Sequence, residues 1–384
     1  MIYADNAATT RTSDRAFEQM IPFLREEYGN ASSRYSLGTK AKRALEHARK
    51  QTAEAINAEP SEIIFTSGGS EANNWVLRFV ADAYCNEPTH IITSSIEHHS
   101  VLNVCRALER NGVEIKFLPV ASTGLVSVED VEAAIRPDTK LVTIMLANNE
   151  IGTIQPIAEI GHLLKGKGIL FHTDAVQAVG HIPVNVSKLQ IDFLTASAHK
   201  FNGAKGTGIL YKRAGLELSP IVFGGKQEQG LRAGTENVAG IVSTGCAIEE
   251  SVEEMDTTAN RLRAMVEIVE RKVKEQIPFV RVNGDAEKRL PGIINLGFDG
   301  VSGESLMHLL DLKGICVSTS SACTSGNDEP SHVLLALGQT KQQAQSAIRI
   351  SFGKYNTIDE AEIVTSALCY AYDKISPIFI SDYS

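Results

Sequence analysis

Six cysteines, one tryptophan and a 6% aromatic share are sparse for 384 residues. The cysteines, at positions 85, 105, 246, 316, 323 and 369, show no CxxC spacing. That pattern speaks against a zinc cage or a disulfide framework and for a reducing, cytoplasmic setting. No block of Lys and Arg stands out against the net charge of -9, which disfavours direct nucleic-acid or anionic-membrane partners. No apolar run approaches the length that spans a bilayer. Met1-Ile2-Tyr3-Ala4-Asp5-Asn6 has neither the basic nor the apolar region of a signal peptide.

What is present is a 43% hydrophobic share distributed over a chain longer than one core usually supports, so two domains are expected. From about Ser61 to Tyr211, short β-rich runs alternate with helical stretches. Ile63-Ile64-Phe65-Thr66 leads to a helix from Ser70, and Ile91-Ile92-Thr93-Ser94 to one from Ser100. Leu141 to Met145 leads to one from about Ile157. Ile169-Leu170-Phe171-His172 and Phe193-Leu194-Thr195-Ala196 follow. Such alternation predicts an α/β fold with a mostly parallel sheet under helices on both faces. One long helix is expected over Val238 to Gln276, bridging to a smaller α+β domain. That domain has strands at Ile293 to Leu296 and Ile348 to Ser351 and a helix over Ser305 to Lys313. A Thr357/Glu360 capping box opens the last helix.

Residues with chemical potential recur at the carboxyl ends of the strands, where open α/β sheets place ligands. Phe65-Thr66-Ser67-Gly68-Gly69-Ser70-Glu71 joins a strand to a helix through two glycines. It suits an anion such as phosphate, or is an ordinary turn capped by Ser70. Ser95-Ile96-Glu97-His98-His99-Ser100 sets histidines at another turn, where an imidazole can stack on a ring and move protons or merely close the turn. Asn149 follows a third strand. Asp174, in His172-Thr173-Asp174-Ala175-Val176-Gln177, is either a helix cap or the partner of a pyridine nitrogen. Lys200, in Ser197-Ala198-His199-Lys200-Phe201-Asn202, can form a Schiff base with an aldehyde cofactor, as can its rival Lys205. Lysine and acid together are what pyridoxal 5'-phosphate (PLP) requires of a protein. Arg349, in a strand, has the planar fork that suits a carboxylate. Cys323 lies in Ser320-Ser321-Ala322-Cys323-Thr324-Ser325-Gly326, a small polar run that reads as a loop presenting a thiol.

Taken in chain order, these motifs resemble the cysteine desulfurases of the NifS/IscS group, class V aminotransferase-type PLP enzymes of type I fold. The resemblance runs from Asp5-Asn6-Ala7-Ala8-Thr9 to the last helix. It implies a large domain at 13–255 with a seven-stranded-type, mostly parallel sheet, and a small domain from 1–12 and 256–384 carrying the cysteine loop. It implies Lys200 as the Schiff-base lysine, Asp174 on the pyridine nitrogen, Gln177 and Asn149 near the phenolic oxygen, and His98 over the ring as proton relay. Gly69, Ser70, Ser197 and His199 fall on the phosphate, with Thr235 reaching it from the other subunit of a homodimer. Arg349, with Asn149, binds the substrate carboxylate. Cys323 carries the persulfide as L-cysteine becomes L-alanine, for iron-sulfur cluster or other sulfur-cofactor assembly. No metal is implied in the PLP site, although Cys323 can meet an iron-sulfur cluster during transfer. The implied partners are L-cysteine and a sulfur-acceptor scaffold of the IscU/NifU type. The alternative is a selenocysteine lyase or another type I PLP lyase or aminotransferase. Tyr28-Gly29-Asn30-Ala31-Ser32-Ser33 departs from the group in lacking the usual Pro and His after Gly-Asn.

Overall fold

The computed structural model describes residues 1–319 and 329–381, with side chains to residue 376. A short strand, β1 (Ile2–Tyr3), comes first. Strands β2 (Ile63–Thr66), β3 (His90–Ser94), β4 (Glu114–Leu118), β5 (Thr139–Thr143), β6 (Leu170–Asp174), β7 (Phe193–Ser197) and β8 (Gly208–Lys212) then build one sheet. Its order is β2-β8-β7-β6-β5-β3-β4. The strands β3 to β7 pair in parallel, and β8 is antiparallel to both its neighbours. The expected mostly parallel sheet is therefore found, and β2 shares the direction of β3 to β7. All of their carboxyl ends face one edge.

Alternation along each strand divides the side chains between two apolar layers. Ile64, Ile91, Leu141, Phe193 and Leu210 pack with Trp75, Val76 and Val101 of the Gly69–Ala83 and His99–Glu109 helices. Ile63, Ile92, Val142, Phe171 and Leu194 pack on the opposite face with Leu45, Ala48, Ile157 and Ile160. Burial on both faces explains why the central strands are apolar without a break. Edge strand β4 differs, with Glu114 and Lys116 exposed, a composition that discourages edge-to-edge pairing.

The second sheet is antiparallel. Strands β9 (Val280–Asn283), β10 (Ile293–Phe298), β12 (Ser318–Thr319) and β13 (Ala347–Ser351) lie in the order β12-β13-β10-β9, while β11 (Ile315–Cys316) pairs with β1. Its core joins Ile294, Leu296, Ile348 and Ile350 to Leu262, Val266, Val364 and Leu368. The single helix expected over Val238 to Gln276 is two, Val238–Glu253 and Met255–Gln276. The break comes where the packing partner changes. The first half lies on the Asp14–Arg25 and Ser36–Ala55 helices and the second on the Ile358–Ser381 helix. Lys354 spans the junction, 2.7 Å from Glu250 and 2.9 Å from Glu254. The helix expected over Ser305 to Lys313 starts earlier, at Gly303, because the Ser302 side chain caps it by accepting from the Ser305 amide. The Thr357/Glu360 capping box forms as expected, each side chain accepting the other's amide at 3.3 and 3.1 Å.

Strand β8 meets the turn after β2 with no room for a side chain. A Cβ on Gly208 would stand 2.5 Å from the Gly68 Cα. Gly208→Ala is therefore expected to destabilise the protein by about 1–3 kcal/mol and to push the Gly68-Gly69 turn outward. Urea denaturation checks it; a midpoint equal to that of the parent would contradict the close packing.

Candidate active site

The carboxyl ends of five parallel-running strands converge on one cavity of about 370 Å³. β2 delivers Gly69 and Ser70 in the first turn of the Gly69–Ala83 helix. The helix expected from Ser70 thus starts one residue earlier, and Ser70 lies inside it, not at its cap. β3 delivers His98, the cap of the His99–Glu109 helix. β5 leads to Asn149, β6 ends on Asp174, and β7 passes through Ser197 into a tight turn bearing His199 and Lys200. All of these line the cavity, as do Gln177 and, from β13 of the second sheet, Arg349. Lys205 is exposed and does not line it. Thr235 lies elsewhere, on a cavity of about 70 Å³ beside Thr66 and Ser67. Cys323 lies outside the described residues.

The lysine amine is directed by backbone. Lys200 Nζ donates to the carbonyls of Ala7 at 2.6 Å and Ala8 at 2.7 Å. Gln177 Nε2 also donates to the Ala7 carbonyl, at 2.9 Å. Asp174 is 5% exposed. Its Oδ1 accepts from the Val176 amide at 3.0 Å and its Oδ2 from Asn73 Nδ2 at 2.7 Å. Donors to both oxygens fix the plane of its carboxyl group.

Two imidazoles face the cavity in neutral form. Burial lowers the His98 pKa below its ordinary value; the Asp174 carboxylate opposes this, and Lys200 and His99 add to it. His98 Nδ1 accepts from the Ser100 amide at 3.1 Å, so its proton belongs on Nε2. Burial, helped by Lys200 and Lys205, takes His199 down to about 4. Its Nδ1 lies 3.1 Å from Thr9 Oγ1.

On the opposite wall Arg349 is 6% exposed. Nη2 pairs with Asp5 Oδ1 at 2.6 Å and Nη1 donates to the Asn149 carbonyl at 2.9 Å, while Nε is buried with no hydrogen-bond partner among the described residues. Two buried acids stand behind this wall. Burial raises Glu97 to about 8 against donors from Ser94 and the Met145 amide. Glu150 is raised to about 7 by burial, against the Ser331 hydroxyl and Arg349.

Several site residues were not anticipated. Asp5 and Ala7 were quoted only as part of a motif, and their contacts span more than 150 positions, beyond any local signal. Asn73 had a signal: it stands three residues after Ser70, on the same helix face.

The donor set fits PLP. An amine and a carboxylate line one cavity with a neutral imidazole, as an imine-anchored pyridine needs. Ser70 and Ser197 line the cavity where the Gly69–Ala83 helix begins, donors of the kind a phosphate takes. The comparisons agree. The family model "Aminotransferase class-V" matches residues 2–364. Cysteine desulfurase IscS of Clostridium botulinum is 47% identical over 369 residues, 96% of this chain and 93% of the relative. The IscS of Dictyoglomus turgidum is 48% identical over 377 residues, 98% of this chain and 96% of that one. Among solved structures, a NifS-like protein superposes with a TM-score of 0.91 at 40% identity, over 97% of this chain and 99% of the other. One from Rickettsia africae superposes at 0.88 with 34% identity, over 97% and 99%. The chain belongs to the aminotransferase class-V family of PLP-dependent enzymes with the type I fold.

Proposed function

We propose that this chain is a cysteine desulfurase that converts L-cysteine to L-alanine and lodges the sulfur as a persulfide on Cys323. The observation that carries the reading is the convergence of Lys200, Asp174, His98 and Arg349 on one cavity. Bound there, PLP supplies an electron sink for breaking bonds at the substrate Cα. Asp174, held by two donors, stands where it pairs with the pyridine nitrogen. Gly69, Ser70, Ser197 and His199 take the phosphate, and Gln177 and Asn149 the phenolic oxygen. Arg349 orients the substrate by its carboxylate, and its unpartnered Nε supports that role.

Lys200 removes the Cα proton, and the carbonyls of Ala7 and Ala8 set where its amine stands. His98 offers its Nε2–H as a donor on the substrate side. The Cys323 thiolate attacks the substrate sulfur. The new S–S bond forms as the Cβ–S bond breaks, and that bond's electron pair goes to the carbon skeleton. After protonation the skeleton leaves as alanine, so sulfur is oxidised to the persulfide level and carbon is reduced.

We take residues 13–255 as the cofactor domain and 1–12 with 256–384 as the domain that carries the cysteine. Thr235 does not line its own chain's cavity, which supports a homodimer in which it serves the second copy. The sulfur acceptor we infer is a scaffold of the IscU/NifU type, with iron-sulfur assembly as the destination. Among the described residues, no helix is long and apolar enough to cross a membrane.

Lys200→Ala is expected to abolish the yellow colour of the purified protein, whereas Lys205→Ala keeps it. Borohydride reduction with peptide mapping should put the cofactor on Lys200; label on Lys205 would overturn the assignment. Cys323→Ala should still bind L-cysteine and shift the cofactor spectrum, yet lose alanine release. Cys316→Ala, in strand β11, should release alanine at the parent rate. Turnover assays on the two variants side by side decide it, and near-normal turnover by Cys323→Ala would refute transfer through this thiol. His98 works as the neutral Nε2–H tautomer, and protonation would fall on Nδ1 and break its bonds to Ser100, so activity is full above its lowered pKa and is lost as pH falls through it. The acid limb of kcat/KM should lie below about pH 6.5, and His98→Gln should cost about 10²–10⁴ in kcat.

A further inference from the structure

We propose that Asn73 is a positioning residue whose one amide sets Asp174 and, through Ser100, His98, so that both groups are oriented together. The inference rests on the proposed function but adds a residue that no motif assigned. Asn73 sits one turn after Ser70 on the Gly69–Ala83 helix. Residues three apart share a helix face, so one rigid turn offers Ser70 to the phosphate and Asn73 to the ring end of the site.

The amide is 1% exposed, and both of its Nδ2 hydrogens are used. One goes to Asp174 Oδ2 at 2.7 Å and the other to Ser100 Oγ at 2.9 Å. Turning the amide over would aim Oδ1 at a carboxylate oxygen, so its orientation is fixed by charge. Ser100 Oγ accepts from Asn73, and because His98 Nδ1 is an acceptor for the Ser100 amide, the Ser100 hydroxyl is the donor to it, 2.8 Å away. That nitrogen already accepts the Ser100 amide, so the two donors hold the His98 proton on Nε2. The chain of donors runs outward from Asn73 in both directions: one arm steadies the anion of Asp174, the other the tautomer of His98.

A packing role explains this poorly. Asn73 Oδ1 is buried with no hydrogen-bond partner among the described residues, a cost that a leucine of similar size would avoid. What the amide supplies is a pair of donors in a fixed plane, a requirement of the site and not of the core.

The test uses the full chain with PLP and L-cysteine. Asn73→Leu should raise the PLP dissociation constant, measured by equilibrium dialysis, about ten-fold, because Asp174 loses a charged hydrogen bond. It should lower kcat more than it changes KM, since Arg349 is untouched. Ser100→Ala keeps the Asp174 arm, so its PLP dissociation constant should stay within about two-fold of the parent. Losing a donor to Nδ1 favours the protonated imidazole, so the acid limb of its kcat/KM profile should move to higher pH. On an Asp174→Asn background, Asn73→Leu should cost little further PLP affinity, since its route of action is gone. Equal costs in both backgrounds, or a parent-like dissociation constant for Asn73→Leu, would overturn the proposal. Thermal melts of each apoprotein identify any variant that fails to fold, and Asn73→Ser, which keeps one donor, then takes the place of Asn73→Leu with an intermediate effect expected. A parent protein that binds no PLP would instead defeat the proposed function and leave the hydrogen-bond chain itself standing.

Discussion

The passage of residues 4–13 between the two sheets is the constraint on which the site depends. Its first half is bound to β11 and to β13 of the antiparallel sheet. The Ala4 amide donates to the Cys316 carbonyl at 2.9 Å, Asn6 to Ser351 at 3.0 Å, and Ser351 returns a bond to Ala4 at 2.8 Å. The second half belongs to the lysine turn. Thr10 donates to the His199 carbonyl and Ser13 to that of Asn202, each at 2.9 Å. Between these anchors lie Asp5, which pairs with Arg349, and the carbonyls of Ala7 and Ala8, which receive Lys200. One short segment thus fixes the Lys200 amine and the Arg349 guanidinium relative to each other. Orientation of this kind is the larger part of what an enzyme adds to a reactive cofactor.

Burial does the electrostatic work around that segment. His98 is lowered, His199 and His332 fall to about 4, and Glu97 and Glu150 rise to about 8 and 7. Each shift has desolvation as its largest cause, and each drives a group toward neutrality. Asp174 is held by two donors, and the guanidinium of Arg349 by Asp5 and a carbonyl. Neutral imidazoles beside these charged groups let the Arg349–Asp5 pair act in a low dielectric.

Much of this was legible from residue order. The apolar runs of β2, β3, β6 and β7 are buried on both faces, and that alone predicts a parallel sheet with its ligands at the carboxyl edge. His98, Asp174 and Lys200 could be read because each closes such a strand. Local chemistry also sufficed for the Thr357/Glu360 box. The break at Glu254 was not legible, because no residue there opposes helix; the chain divides where its packing partner changes. Asp5 on Arg349 was not legible either, since the two are 344 positions apart and either charge alone reads as a solvated surface group. The choice between Lys200 and Lys205 needed the resemblance at first and the exposure of Lys205 afterwards.

The two halves of the site are held by different kinds of interaction, and this orders their roles. His98, Ser100, Asn73 and Asp174 are linked by hydrogen bonds within one sheet and its two adjoining helices, so the cofactor end is set before any substrate enters. Arg349 reaches the cavity only because the antiparallel sheet docks against the parallel one. That docking is polar at its margin: Ser331 donates to the Glu150 carboxyl, His332 Nε2 lies 2.9 Å from the Glu97 carbonyl, and its ring meets His99 at 4.7 Å. The same interface holds Arg349 on the cavity and His332 beside the Glu97–His99 turn. The position of Arg349 thus depends on how the two sheets meet, whereas the chain from His98 to Asp174 is set within the parallel sheet and its adjoining helices alone.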